Sequence, residues 1–212
     1  MKKHRGPWSE RSFRLREPVF EKTGDIILVV CEGEKTERNY LEGLKKRWRI
    51  HPLNVEVFGP DLGNSPVSIV KYAIELRDNR KNEAKHGKGV VYDQVWCVFD
   101  RDKHVDLDEA IDKAKGNKIY VALSVPCFEF WYLLHFTYTT RPFQDCDEVE
   151  NCLKEYIKDY DKASAPLDLL MPELEKALEN AKILRKHNKD TNSSCPSTDV
   201  DLLVKELQKI HS

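Results

Sequence analysis

No stretch of this 212-residue chain approaches the ~18 consecutive apolar residues of a membrane-spanning helix, so no membrane association is expected. The basic opening MKKHRGPW leads into no apolar run and does not read as a secretory leader, so the expected location is cytoplasmic. Net charge is nearly absent: 35 Lys and Arg against 36 Asp and Glu leave −1. Affinity for a polyanion would therefore come from local basic patches and not from the whole-molecule field. The six cysteines contain no CxxC pair, and only Cys146 and Cys152 lie close enough in sequence to suggest paired metal ligands. Cys31, Cys97 and Cys127 sit in or beside apolar runs, and buried, reduced thiols are expected. GxxxxGK[ST], GxGxxG and GxSxG are all missing, which removes the usual phosphate-loop, dinucleotide and serine-hydrolase readings. What is present, 40% apolar and 33% charged residues, suffices for one core under a heavily charged surface.

Two apolar runs end in carboxylates. IILVVC (26–31) delivers Glu32 and the loop EGEKTE, and QVWCVF (94–99) delivers Asp100, Arg101 and Asp102. Runs of this kind, each followed by a helical pattern, predict central strands of a parallel α/β sheet. A helix is predicted from Thr36, with Tyr40, Leu41, Leu44 and Trp48 on one stripe. VEVF (55–58) is a short strand, and Ser65-Pro66 a cap and first-turn proline opening the next helix. Asp106 with Glu109 predicts a capping box for a helix closed by Gly116, and KIYVAL (118–123) a fourth strand. After Pro126 the pattern is helical, over about 146–160, 166–187 and 198–210, with Ser197, Thr198 and Asp201 predicted to cap the last helix. The alternation of strands and helices is a doubly wound α/β pattern.

Two segments are rich in basic residues. Residues 1–24 carry seven Lys/Arg against three Glu, with Trp8, Phe13 and Phe20 interleaved, and 77–89 reads as a surface loop with five Lys/Arg against two acids. Such segments are either solvated and structureless or track a phosphate backbone.

In parallel α/β sheets ligands bind at the carboxyl ends of the strands. Glu32, Asp100 and Asp102 converge there by topology, and an oxygen-only donor set of this kind suits Mg²⁺ or Mn²⁺. With a phosphate bound, such ions polarise the phosphoryl group and stabilise the leaving oxygen. DRDK on its own reads as an ordinary charged turn; Glu32 at a second strand end reverses that and favours the site. A phosphoaspartate hydrolase would carry its DxD after the first strand, and a phosphotransfer receiver paired acids there, so both readings fit less well.

A glutamate after the first strand and DxD after the third resembles the pattern of Toprim domains, which perform Mg²⁺-dependent phosphoryl transfer on nucleic acids. The stretches VVCEGEKTERNYLEGL (29–44), VFDRDKH (98–104), SVPCFEFWYLLHF (124–136) and CPSTDVDLLVKEL (195–207) resemble successive motifs of the RloB family, related to AbiLii of abortive-infection systems. The resemblance implies a Toprim-like (Rossmann-like) core over 25–136, a basic arm over 1–24 and a helical extension over 137–212 packed on the core. It makes Glu32, Asp100, Asp102 and Glu129 catalytic candidates, the first three as metal ligands and Glu32 also as general base. Glu37 becomes an additional acid. Lys35 and Arg38, at the turn after Glu32, are candidates to hold phosphate. Glu129 among aromatic neighbours would be costly unless a metal or an arginine met it. His104 and His135 are read as ligands or as structural residues.

The implied function is Mg²⁺- or Mn²⁺-dependent cleavage of DNA or RNA, tRNA among the substrates considered, as an effector of anti-phage abortive infection. By the resemblance a partner ABC-like or AAA-type ATPase controls it; a homo-oligomer is left open. The reading from another class is a non-catalytic interaction module that assembles with that ATPase.

Overall fold

A computed structural model describes residues 24–33, 35–59, 65–101 and 106–211. Apart from Gly24 the basic arm lies outside them, as do Asp102 and His104. The chain is a mixed α/β structure built on a five-stranded, mostly parallel sheet in the order β2-β1-β3-β4-β5. The strands are β1 (Ile27–Cys31), β2 (Val55–Phe58), β3 (Gln94–Asp100), β4 (Tyr120–Val125) and β5 (Ser197–Thr198). The first four are parallel; β5 pairs antiparallel with β4. Strand alternation explains the continuous apolar text. Ile27, Val29 and Cys31 face one apolar cluster while Leu28 and Val30 face another, so every residue of β1 is buried.

The helices divide between these two faces. α1 (Thr36–Arg47), α4 (Glu129–Phe136), α5 (Cys146–Leu153), α7 (Leu174–Thr191) and α8 (Val200–His211) contribute to the first cluster. α2 (Pro66–Lys85) and α3 (Leu107–Gly116) cover the second. A short helix α6 (Leu167–Leu170) and a 3₁₀ turn lead into α7.

Four expectations change. The polar stretch 77–89 is helical as far as Lys85, because α2 outruns its apolar stripe and is held by polar contacts instead. Arg77 donates to the Asn117 carbonyl at 2.7 Å, and Arg80 pairs with Glu56 at 3.1 Å and lies over the Tyr92 ring. Asp106 precedes α3 but makes no capping bond, since its backbone (φ −103°, ψ 11°) lies outside the extended region that a cap needs. Ser197 and Thr198 form β5; Thr198 Oγ1 still accepts from Val200 N at 3.2 Å, so one residue serves as both strand and cap. Asp201 is wholly buried between Arg185 and Lys205, where it neutralises two cations, and is no box partner. The fourth change concerns the thiols: Cys127 and Cys146 are joined in a disulfide, while Cys31, Cys97, Cys152 and Cys195 are free. The pair lies 19 positions apart in sequence, so no short spacing announced it.

The segment 137–212 supplies α5 to α8 and also the fifth strand. Its side chains Val200, Leu203, Val204 and Leu207 are fully buried in the same cluster as β1. At about 1.5–3 kcal/mol each, those four contribute about 6–12 kcal/mol, close to the ~5–15 kcal/mol that stabilises a whole domain. A chain ending at Asn192 is therefore expected to lose cooperative thermal unfolding by near-ultraviolet circular dichroism. Cooperative melting within a few degrees of the full chain would show instead that β5 and α8 are an appendage.

Candidate functional site

The parallel register brings the two carboxylate-bearing strand ends together. Cys31 pairs with Val98, and the ladder continues past β1: Glu32 N donates to the Val98 carbonyl at 2.9 Å. Glu32 Oε2 then reaches across to accept from Asp100 N at 3.2 Å. On the other side, Arg101 N donates to the Ser124 carbonyl at 2.8 Å. The backbone under both acids is thus fixed by extensions of the sheet and not by a loose loop.

α1 begins four residues after Glu32 and turns Glu37 back over the strand end, where it is buried. Its carboxylate lies against Gly33, and a Cβ there would overlap Oε2, so glycine is what allows this close approach. Glu129, the first residue of α4, enters from the far side and is also buried. Its Oε1 accepts from Thr36 Oγ1 at 3.2 Å and from Tyr160 OH at 3.0 Å. Glu32, Glu37, Asp100 and Glu129 all line one cavity of about 870 Å³, with Arg101 and Lys162 as its lining cations.

Crowding has the expected electrostatic effect. Burial raises the Glu37 carboxyl to about 7; its own backbone N–H opposes this, while Glu129 and Glu32 push further upward. Asp100 is driven well above the usual carboxylate range, by burial first and then by Glu37 and Glu129; the Phe128 backbone N–H relieves it in part. Its Oδ1 is buried with no hydrogen-bond partner among the described residues. An orphaned buried carboxylate oxygen beside other oxygen donors fits a hard divalent cation. Among the described residues, however, the group whose three donor atoms lie within 4.8 Å of one another is Cys127, Glu129 and Cys146, and not the carboxylate set.

The remaining candidates separate. Asp102 and His104 lie outside the described residues. Lys35 and Arg38 are exposed at the start of α1 and are not among the cavity's lining residues; Arg38 lies over Gly59. His135 is buried in the core, its Nδ1 3.0 Å from the Trp131 carbonyl and its ring edge-on to Trp131. Burial lowers it to about 4, so it is a neutral structural residue. Arg101 is paired with Ser194 at 3.2 Å and leaves Glu129 to the hydroxyls. Thr36, Tyr160, Lys162 and Cys127 carried no site signal in the sequence, and Cys146 stood out only for its nearness to Cys152, which is not its partner. Tyr160 and Lys162 lie in the irregular link between α5 and α6, whose path over the cavity no periodicity reveals.

A carboxyl whose folded value lies above its ordinary one holds its proton more tightly in the folded chain. Its stabilising contribution is full below about 4.5 and is lost as pH rises through about 7. In chelator, the difference in melting temperature between Glu37→Gln and the parent chain should therefore shift in favour of the variant across that window. A pH-independent difference would mean that Glu37 titrates normally and is not crowded by its neighbours.

No helix among the described residues is long and apolar enough to cross a membrane. Comparison with curated proteins finds no match, and neither does comparison with solved structures. The family model for RloB-like protein matches residues 27–207, a span that contains every lining residue of the acidic cavity. With most of its length matched, the chain belongs to the RloB-like family.

Proposed function

We propose that the chain is a Toprim-type, divalent-cation-dependent nuclease that cleaves DNA or RNA as an effector of anti-phage defence under a partner ATPase. The observation that carries the reading is the buried, unpartnered Oδ1 of Asp100 beside Glu32, at the ends of adjacent parallel strands. Mg²⁺ or Mn²⁺ held by Glu32 and Asp100, with Asp102 assigned by family resemblance alone, would supply Lewis-acid stabilisation of phosphoryl oxygens. The protein's own groups do the rest. Arg101 and Lys162 are the cavity cations that can orient an anionic backbone against the acids. Glu37, raised to about 7, is about half protonated at neutral pH, which eases the crowding with its acidic neighbours and suits it to proton transfer. Glu129, fixed by two hydroxyls, sets the far wall. The ATPase, the defence role and tRNA as a substrate rest on the family alone.

Glu32→Gln keeps the side chain's shape and its acceptor oxygen for Asp100 N while removing one charge and one base. Cleavage of plasmid, single-stranded DNA or total tRNA in Mg²⁺ or Mn²⁺, with the neighbouring ATPase present, should fall by about 10² to 10⁴. Association with the ATPase should persist. If Glu32→Gln retains full cleavage and toxicity while a surface substitution that breaks ATPase binding silences both, the chain is an assembly module.

A further inference from the structure

We propose that Cys127, Cys146 and Glu129 form a second metal site, for a thiophilic divalent cation such as Zn²⁺, filled when the two sulfurs are reduced. The three donor atoms lie within 4.8 Å of one another, and the cysteine Cα atoms are 5.6 Å apart. In a tetrahedral zinc site with Zn–S near 2.3 Å, two sulfurs stand about 3.8 Å apart, so side-chain rotation of two reduced cysteines at this separation suffices.

The carboxylate is already oriented for the task. Oε1 of Glu129 is occupied by the Thr36 and Tyr160 hydroxyls, which leaves Oε2 facing Cys146 Sγ at 3.3 Å. A disulfide sulfur has no proton to offer that oxygen, so in the oxidised chain the contact does nothing to offset the burial of Oε2. A cation shared by Oε2 and two thiolates does. Hydroxyls that fix the other oxygen are the kind of outer contact that ligating carboxylates make. Cys146 Sγ also lies 3.5 Å from Glu150 Oε1, but Lys162 neutralises Glu150 at 2.6 Å. Three protein donors leave a fourth position, which opens on the cavity that Cys127, Glu129 and Cys146 all line.

Filling the site requires the disulfide to open. A dithiol reductant transfers two electrons: the Cys127–Cys146 bond breaks, both sulfurs take the reductant's protons, and the reductant closes its own disulfide. Binding the cation then releases those two protons to solvent. Sulfur donors select against Mg²⁺, so this site and the oxygen-lined one at Glu32 and Asp100 take different ions.

The test needs no nucleic acid and therefore stands or falls apart from the cleavage reading. The full chain, reduced with a thiol-free phosphine under inert gas, is titrated with Co²⁺ as the probe. One equivalent should produce sulfur-to-cobalt charge-transfer absorption with the intense visible bands of a tetrahedral ion; Zn²⁺ should abolish them and excess Mg²⁺ should not. The reoxidised chain should show none. Cys127→Ser with Cys146→Ser, folded by circular dichroism, should lose the charge-transfer band, and Cys152→Ser with Cys195→Ser should keep it. Glu129→Gln should keep the band but weaken Co²⁺ at least tenfold. No band in the folded, reduced chain overturns the proposal, as does a band that survives loss of Cys127 and Cys146 or disappears with Cys152 and Cys195. Unchanged affinity in Glu129→Gln removes the carboxylate from the site and overturns it as stated.

Discussion

Glu32, Glu37, Asp100 and Glu129 crowd one cavity at the carboxyl end of the sheet, which exposed Asp145 and Asp147 also line, and their mutual repulsion governs what the surrounding structure must supply. Two unit charges about 4 Å apart repel by about 4 kcal/mol even at an effective dielectric near 20. Part of this is absorbed by protonation: Glu37 and Asp100 are both pushed upward by burial and by their acidic neighbours. Part is absorbed by hydrogen bonds to fixed donors, from Asp100 N to Glu32 and from two hydroxyls to Glu129. What is left is the shielded Oδ1 of Asp100, which has no hydrogen-bond partner among the described residues.

A cluster of this kind survives only on a rigid base. The base is the central pair β1 and β3, buried on both faces by separate apolar clusters. Because the ladder continues one residue beyond Cys31 and on to Arg101, the acids emerge from hydrogen-bonded backbone. α1 and α4 then act as levers. Each starts beside a strand end and presents an acid from its first turn, Glu37 and Glu129, in the region where the helix dipole favours negative charge. α4 can do this because its other side chains, Phe130 to His135, are buried against α7 and neighbouring elements. The C-terminal half of the chain therefore fixes the site as much as the strands do.

That division explains what could be read from sequence. β1 and β3 are spelled out by apolar runs, because strands buried on both faces tolerate few polar letters, and their ends located Glu32 and Asp100. The first turns after them were equally legible: Ser65 caps α2 and accepts from Ser68 N at 3.3 Å. Local text failed where long-range contacts decide. The polar half of α2 carries no apolar stripe, since its partners are the Asn117 and Val90 carbonyls and Glu56. Ser197 and Thr198 read as a helix start because two residues are too few to display alternation; their pairing with Ser124 and Val125 is purely tertiary. Lys35 and Arg38 sit beside Glu32 in sequence, but the helix turns them outward, and Lys162 from a distant link lines the cavity instead. Proximity in sequence holds for Arg101, next to Asp100, but not for Lys35, Arg38 or Lys162.

Glu129 shows how one side chain can stand between two chemistries. Its Oε1 belongs to a hydroxyl network that reaches α1 through Thr36 and the link after α5 through Tyr160. Its Oε2 faces the sulfur that ties α5 to the end of β4. With the disulfide closed, Oε2 has only a poor neighbour, and the carboxylate's charge acts on Glu37 and Asp100, raising both. A cation at the proposed sulfur site would neutralise that charge and ease the crowding at Asp100, and would thereby weaken the hold of the proposed site at Glu32 and Asp100 on a cation of its own. Hard and soft donors thus lie side by side on one cavity wall, with Glu129 between them.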